Sequence, residues 1–179
     1  MPGALCTASY ASPLGRLTLA SEGGRLLGLW FEGQRHFGAG LPLAAASRQL
    51  SPPLRTTCAW LDAYFAGARP SPAALPLAPA GSPFRRAVWQ LLRQIPYGSI
   101  TTYGALAERL RAAGLPASPR AVGGAVGRNP ISIIIPCHRV LSAAARSALH
   151  YAAGPGVKLR LLRHEQAPLP PGLPSQPLL

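Results

Sequence analysis

The residues best suited to chemistry form one short block, Pro136–Val140, which follows the largely β-branched run Ile131–Ile135. A thiol beside an imidazole and among cations has surroundings that lower its pKa, and the thiolate is the nucleophilic form. If this segment is extended, adjacent side chains point to opposite sides, so His138 reaches the Cys137 proton only through a bridging water. Glu165 would then orient His138 in the manner of a catalytic triad. From spacing alone, a buried structural thiol remains the favoured interpretation of Cys137.

Positive charge is concentrated in the same half of the chain. The 179 residues carry 18 basic and 5 acidic side chains, a net charge of +13, and residues 83–167 alone contribute +10. Such a density favours a polyanion partner, most simply the phosphates of nucleic acid. Charge alone leaves open a solvated surface that happens to be rich in arginine.

Composition excludes several other classes of protein. With 48% hydrophobic residues the chain can bury a core, which a disordered polycation cannot. We find no apolar run of the ~18 residues that a membrane span needs and no signal peptide at the N-terminus. The three cysteines, Cys6, Cys58 and Cys137, are an odd number without a secretion signal, which predicts reduced thiols in the cytoplasm. They lie far apart, so no zinc site of conventional spacing is predicted.

The elements that must position these groups fall into two predicted domains. Residues 4–31 predict an antiparallel meander, and apolar residues recurring over 50–66 predict an amphipathic helix with Cys58 buried on its apolar face. Five prolines in residues 69–83 indicate a connection. We therefore predict an N-terminal domain over 1–80, a second domain over 81–167, and a disordered proline-rich tail over 168–179.

The second domain carries sharp helix signals. Ser82-Pro83 predicts a helix that ends at Pro96, a second helix begins at Thr101 or Thr102 and stops near Gly114, and a third runs from Ser118-Pro119 to Gly127. The last two form a helix-turn-helix pattern, which is a weak signal by itself. Gly123 and Gly124 lower the stability of the third helix. They suit a close approach by either DNA or a neighbouring helix.

The block Asn129–Val140 closely resembles the active-site signature of the O6-alkylguanine-DNA alkyltransferases. The resemblance extends over most of the chain and includes Phe84–Trp89, Ile95–Gly98, Thr102–Gly104, Arg120–Gly123, Lys158 and His164-Glu165. It implies an α+β fold, with a small RNase H-like N-terminal domain built on an antiparallel sheet. It also implies a mainly helical, winged-helix-like domain that carries the helix-turn-helix and the active-site cysteine.

The resemblance also implies an activity and its residues. The family moves an alkyl group irreversibly from O6-alkylguanine, and from O4-alkylthymine, in a flipped-out base onto its own cysteine, here Cys137. It acts once per molecule as a monomer on double-stranded DNA, with no cofactor and no metal. His138 would deprotonate Cys137 through water, Glu165 would polarise His138, and Tyr103 would protonate the leaving base. The residues implied for DNA binding are Arg120, Tyr103, Ala121, Gly123, Gly124 and Arg128, and those for the base pocket are Asn129, Val140 and Tyr151.

Simpler interpretations of these residues stay open at this point. Tyr103 would pack on the core, Arg120 would contact phosphate, and Glu165 would pair with Arg160 or Arg163 at the surface. The stretch 142–153 lacks the glycines usual in bacterial members, which leaves the shape of the base pocket in question. A non-catalytic lesion sensor is the main functional alternative, but such alkyltransferase-like proteins lack the reactive cysteine. A thiol hydrolase fits neither the basic domain nor the helix-turn-helix.

Overall fold

A computed structural model describes residues 3–143 and 149–171. The chain divides into two compact units, one formed by Met1–Ala80 with Pro130–Ser132, the other by Gly81–Asn129 with Ile133–Leu179. The first contains a three-stranded antiparallel sheet and the second is mainly helical. The predicted α+β class is therefore confirmed.

The sheet of the N-terminal unit follows chain order. Strands β1 (Cys6–Ser12), β2 (Gly15–Glu22) and β3 (Arg25–Phe31) are joined by tight turns, and the register pairs Tyr10 with Leu17 and Leu19 with Leu29. Gly28 is required where it stands, because a Cβ there would lie 1.7 Å from the Trp30 ring. Trp30 thus lies across its own strand and is fully buried.

Helix α1 (Pro52–Phe65) packs in this unit through Leu54, Thr57, Leu61 and Tyr64, all of which are buried. The prediction that Cys58 is buried on the apolar face is wrong, since its thiol is half-buried. The physical reason is that Thr57 occupies the buried position instead, with its hydroxyl bonded to the carbonyl of Pro53 at 2.8 Å. Leu50, the first residue of the range 50–66 predicted to be helical, precedes the helix and is exposed.

Helices α2 (Pro83–Leu92), α3 (Tyr103–Ala112), α4 (Pro119–Val126) and α5 (Pro155–His164) make up most of the C-terminal unit. The predicted caps are confirmed, since the hydroxyls of Ser82, Thr102 and Ser118 each accept a hydrogen bond from the first turn of their helices. Helix α2 ends at Leu92, short of the predicted limit at Pro96. Two short strands, β4 (Thr101–Thr102) and β5 (Val140–Leu141), pair in parallel.

The core of the C-terminal unit joins α2, α3 and α4. Val88, Leu106 and Val122 are fully or almost fully buried, and the indole of Trp89 donates to the carbonyl of Ala125 at 2.9 Å. This bond between α2 and α4 fixes the helix that precedes the block Asn129–Val140.

Two kinds of feature are not found in the described ranges, 3–143 and 149–171. No helix there is long and apolar enough to cross a membrane. No group of three or more His, Cys, Asp or Glu residues there is placed to hold a metal ion.

Candidate active site

Cys137 lies in a single 3₁₀ turn, Cys137–Arg139, directly after the buried apolar run. The expectation of an extended segment here is therefore wrong. The chain reaches this turn through an unusual conformation, because the buried Ile133 has a φ of +68°. A β-branched residue in the left-handed region is strained and persists only where its surroundings hold it.

Asn129 connects the end of α4 to the thiol. Its Nδ2 donates to the carbonyl of Ile135 at 2.7 Å and to Sγ of Cys137 at 3.1 Å. The expectation that its neighbours lower the pKa of Cys137 is wrong, because burial raises this pKa, and the hydrogen bond from Asn129, the charge of Lys158 and the hydroxyl of Tyr151 oppose that rise only in part. The resting group is a thiol, so the site needs a base to form the nucleophile.

His138 and Glu165 form a buried pair that meets this need. Nε2 of His138 lies 2.7 Å from Oε1 of Glu165, and neither side chain is exposed. Burial would by itself raise the pKa of Glu165, but the bonds from His138 and Arg139 bring that pKa well below its usual value. Burial lowers the pKa of His138, so its ring is neutral. An ionised Glu165 can only accept, so Nε2 carries the proton and Nδ1 carries the lone pair of a base.

Nδ1 of His138 is buried and makes no hydrogen bond to the part of the chain that the structure describes. It is therefore free to accept a proton on the side opposite Glu165. The alternative in which Glu165 pairs with Arg160 or Arg163 at the surface is wrong, because Glu165 is 1% exposed and bonded to His138 and Arg139.

Arg139 is a site residue to which sequence reasoning assigned no role. Its Nε and Nη2 donate to Oε2 and Oε1 of Glu165 at 2.7 and 2.9 Å, and its Nη1 donates to the carbonyl of Ile95 at 2.6 Å. The amide of Gly98 adds a fourth bond to the carboxylate at 3.2 Å. These donors hold Glu165 ionised and fix its orientation toward His138. The sequence offered one indication of a role for Arg139, which is its position directly after His138.

Lys158, on α5, was also left without a role. It is 1% exposed, and its Nζ donates to the carbonyls of Val140 and His150 at 2.5 and 3.1 Å. Burial lowers the pKa of Lys158 to about 8, although negative charge on Cys137 works in the opposite direction. Composition offered one indication of a role for this residue, because Lys158 is the single lysine in a chain whose other basic residues are arginine or histidine.

Tyr103 begins α3 and is half-buried. Burial and the negative charge of Cys137 both raise its pKa, which keeps the phenol protonated. A Cβ on Gly123 would lie 3.8 Å from the Tyr103 ring, whereas one on Gly124 would meet nothing within 4 Å. Gly123 thus faces the neighbouring helix, and Gly124 faces open space.

The outer face of α4 carries four of the residues assigned to DNA. Arg120, Ala121, Gly124 and Arg128 are all exposed, while Val122, Ala125 and Val126 are buried on the opposite face. The spacing of the exposed residues places them on one side of the helix and its C-terminal extension. That side is free to meet a large partner.

Of the two remaining pocket residues, Val140 precedes the glycine-poor stretch and Tyr151 lies within it. Val140 is buried in β5, and Tyr151 is half-buried, with a hydroxyl whose influence lowers the pKa of Cys137. Residues 144–148 of the stretch lie outside the described residues. The predicted change in pocket shape stays a prediction.

Comparison with known proteins identifies the class. Residues 83–167 match the model of the 6-O-methylguanine DNA methyltransferase DNA binding domain, and residues 5–79 match its ribonuclease-like domain. Together these models span most of the chain, which therefore belongs to the 6-O-methylguanine DNA methyltransferase family.

Individual relatives agree with this assignment. A methylated-DNA–protein-cysteine methyltransferase of Haemophilus influenzae is 40% identical over 89% of this chain and 85% of its own length. The Mycobacterium leprae protein of the same name is 39% identical over 88% of this chain and 90% of its own. The O6-methylguanine methyltransferase structure from Mycobacterium tuberculosis has a TM-score of 0.77 at 33% identity, over 93% of this chain and 96% of its own. The same protein in complex with DNA has a TM-score of 0.75 at 35% identity, over 91% and 95%.

Proposed function

We propose that this protein repairs DNA by direct reversal, moving a methyl or larger alkyl group from O6-alkylguanine, or O4-alkylthymine, irreversibly to Sγ of Cys137. The observation that carries the proposal is the buried arrangement of Cys137, Asn129, His138 and Glu165 in one unit. Family membership supports the reaction, and this geometry supports the part proposed for each residue. Because these groups come from one chain, a monomer suffices.

The first step generates the nucleophile. The Cys137 thiol gives its proton, through water, to Nδ1 of His138, and Glu165 stabilises the imidazolium that results. The ion pair with Arg139 keeps the carboxylate ionised, so the proton stays on His138. Asn129 and Lys158 stabilise the negative charge that develops on sulfur.

In the second step the thiolate attacks the alkyl carbon in line with the bond to O6. A carbon–sulfur bond forms, the carbon–oxygen bond breaks, and the electron pair leaves with the base. Tyr103 donates a proton to the departing guanine. The raised pKa of Tyr103 keeps its phenol protonated, so this proton is available. The product is a thioether with no easy route to hydrolysis, so each molecule reacts once.

The outer face of α4 binds the duplex. Arg120 enters the minor groove and fills the space that the flipped nucleotide leaves, while Arg128 contacts phosphate. Ala121 and Gly124 present almost no side chain, so the DNA backbone can approach the helix closely. Extruding a damaged base costs less than extruding a paired one, which contributes selectivity.

A lesion sensor that binds O6-alkylguanine without reacting is the alternative from another class. Binding without reaction does not require a buried thiol beside a buried imidazole and carboxylate. The presence of Cys137 with His138 and Glu165 therefore favours the enzyme.

The test is stoichiometric label transfer. A duplex with a labelled O6-methylguanine is expected to add one methyl group per protein, located on Cys137 by peptide mass. Cys137→Ser should remove the transfer and keep DNA binding, whereas Cys58→Ser, at a half-buried thiol in the other unit, should react normally. Wild-type protein that binds the duplex and stays unmodified would leave the sensor as the better account.

A further inference from the structure

One segment of the catalytic half of the chain belongs to the N-terminal unit. Pro130–Ser132 is assigned there, although its chain neighbours Asn129 and Ile133 belong to the C-terminal unit. The amide of Leu29 donates to the carbonyl of Pro130 at 2.9 Å, and the amide of Ser132 donates to the carbonyl of Leu29 at 2.8 Å. Strand β3 thus holds this segment by two main-chain hydrogen bonds.

Gln34 adds a side-chain connection at the end of β3. Its Oε1 accepts from the amide of Phe31 at 2.8 Å and from the hydroxyl of Ser132 at 3.2 Å. Gln34 is 6% exposed and Ser132 is 2% exposed, so water does not compete for these bonds. No catalytic motif of the sequence includes Gln34.

The held segment lies between the two features that shape the site. On one side, Ile133 follows Ser132 directly and adopts its strained φ of +68°. On the other side, Asn129 precedes Pro130 directly and bonds both Ile135 and Cys137. The loop Asn129–Cys137 is therefore closed at its base by Asn129 and held in its middle by β3 and Gln34.

We propose that Gln34 is a positioning residue: through Ser132 it holds the loop Asn129–Cys137 in the conformation that directs Nδ2 of Asn129 at Sγ of Cys137. The inference rests on the proposed role of Cys137 as alkyl acceptor. It goes further because it gives the N-terminal unit, through the continuity of the chain, a part in positioning the nucleophilic Sγ of Cys137.

The readout is the ionisation of Cys137. The hydrogen bond from Asn129 lowers the pKa of Cys137 against the effect of burial. If the loop relaxes and that bond lengthens, the pKa rises and less thiolate is present at a given pH. The other polar and titratable groups that act on this thiol, directly or through His138, are Lys158 from α5, Tyr103 from α3, Tyr151 before α5, and His138, Arg139 and Glu165. A substitution at Gln34 leaves all of these side chains in place.

The experiment compares rate–pH profiles for four variants of the full chain. Gln34→Met removes the acceptor at similar volume, Ser132→Ala removes one bond, and Gln34→Glu keeps an acceptor oxygen. Ser21→Ala is the matched control, because its hydroxyl makes a 2.7 Å bond to Ser51 within the same unit, and neither serine belongs to the loop Asn129–Cys137. Two reactions of Cys137 are followed by peptide mass: methyl transfer from O6-methylguanine duplex, and modification by iodoacetamide.

Gln34→Met and Ser132→Ala are expected to shift both profiles to higher pH by up to about one unit, which slows reaction at neutral pH by up to about tenfold. Gln34→Glu should keep the wild-type profile, because it retains an acceptor oxygen. Ser21→Ala should also keep this profile, even if the substitution lowers the melting temperature. Unshifted profiles in folded Ser132→Ala and Gln34→Met would overturn the proposal, as would an equal shift in Ser21→Ala. Iodoacetamide needs no DNA, so it tests the loop even if wild-type protein takes up no methyl group.

Discussion

At the scale of single residues, the site depends on how completely Glu165 is surrounded. The carboxylate accepts from His138, from two nitrogens of Arg139 and from the amide of Gly98, all at 3.2 Å or less. A carboxylate bonded in this way cannot take up the proton of His138 during the reaction. The geometry therefore supports the proposal that His138 is the terminal base and that Glu165 acts by charge and orientation.

Glu165→Gln tests this arrangement. The amide lacks the charge that stabilises the imidazolium and leaves Arg139 buried without its counter-ion. We expect single-turnover methyl transfer to slow by about a hundredfold. We also expect the free energy of unfolding in urea to fall by about 3 kcal/mol. Glu32→Gln is the matched control, because its 3.7 Å pair with Arg16 is more than half exposed and contributes less than about 1 kcal/mol. Equal losses of stability in the two variants would contradict the account.

The lowered pKa of His138 predicts how stability depends on pH. The unfolded chain binds a proton on this ring near pH 6.5, while the folded chain keeps the ring neutral. The unfolded state therefore binds more protons below that pH, and the free energy of unfolding falls as the pH drops through 6.5. Glu165, whose folded pKa is also lowered, adds a second loss below pH 4.5.

The measurement is urea unfolding between pH 4.5 and pH 7.5, which spans the first of these losses. His138→Gln should flatten the decline, because glutamine does not titrate and can still donate to Glu165. His150→Gln, at an exposed side chain, should retain it. A decline that persists unchanged in His138→Gln would show that another group causes it.

At the scale of elements, α4 shows why sequence reasoning succeeded in part. Its cap, its first-turn proline and its terminal glycine are local signals, and they predicted its limits within a residue or two. Which glycine meets α3 and which faces outward depends on packing between helices, and no local pattern contains that information. The same limit applies to Arg139 and Lys158, whose burial is decided by contacts with distant parts of the chain.

The two glycines of α4 give a paired prediction. Gly124→Ala adds a methyl group in open space within a helix, so it should stabilise the protein by up to about 1 kcal/mol. The same methyl group should weaken duplex binding, because we propose that DNA approaches that face. Gly123→Ala is the comparison, since its methyl group contacts the Tyr103 ring at an ordinary 3.8 Å. Thermal unfolding and duplex affinity are measured for both, and unchanged affinity in Gly124→Ala would remove this face from the interface.

Substitutions at Arg120, at the start of α4, test whether this residue fills the space of the flipped base or only contacts phosphate. Arg120→Ala should slow repair of duplex DNA and leave reaction with a free O6-alkylguanine base nearly unchanged. Arg120→Lys keeps the charge without the planar guanidinium. If Arg120 fills the vacated base position, lysine should restore duplex affinity better than it restores the repair rate. Full recovery of both by lysine would reduce Arg120 to a phosphate contact.

At the scale of the whole molecule, the division into a part with a meander and a helical part followed from the sequence, because these elements carry clear local signals. Gly-rich turns separate the strands, and capping residues and first-turn prolines mark the starts of helices such as α2. The assignment of Pro130–Ser132 to the N-terminal unit did not follow, because it depends on pairing between residues about 100 positions apart. Such long-range pairing leaves no periodic trace in either partner.

The charge of the molecule gives the last prediction. The net charge of +13 is concentrated in the segment that carries α4 and the thiol, so duplex binding should release many counterions. With about six phosphate contacts, affinity should fall by about a thousandfold between ~50 and ~200 mM salt. Arg128→Ala should lower the slope of log affinity against log salt by about one. Reaction with a free O6-alkylguanine base is the control and should be nearly independent of salt, because no phosphate is bound. If the free base reacted with the same salt dependence as the duplex, the charge would be acting on the thiol itself rather than on DNA.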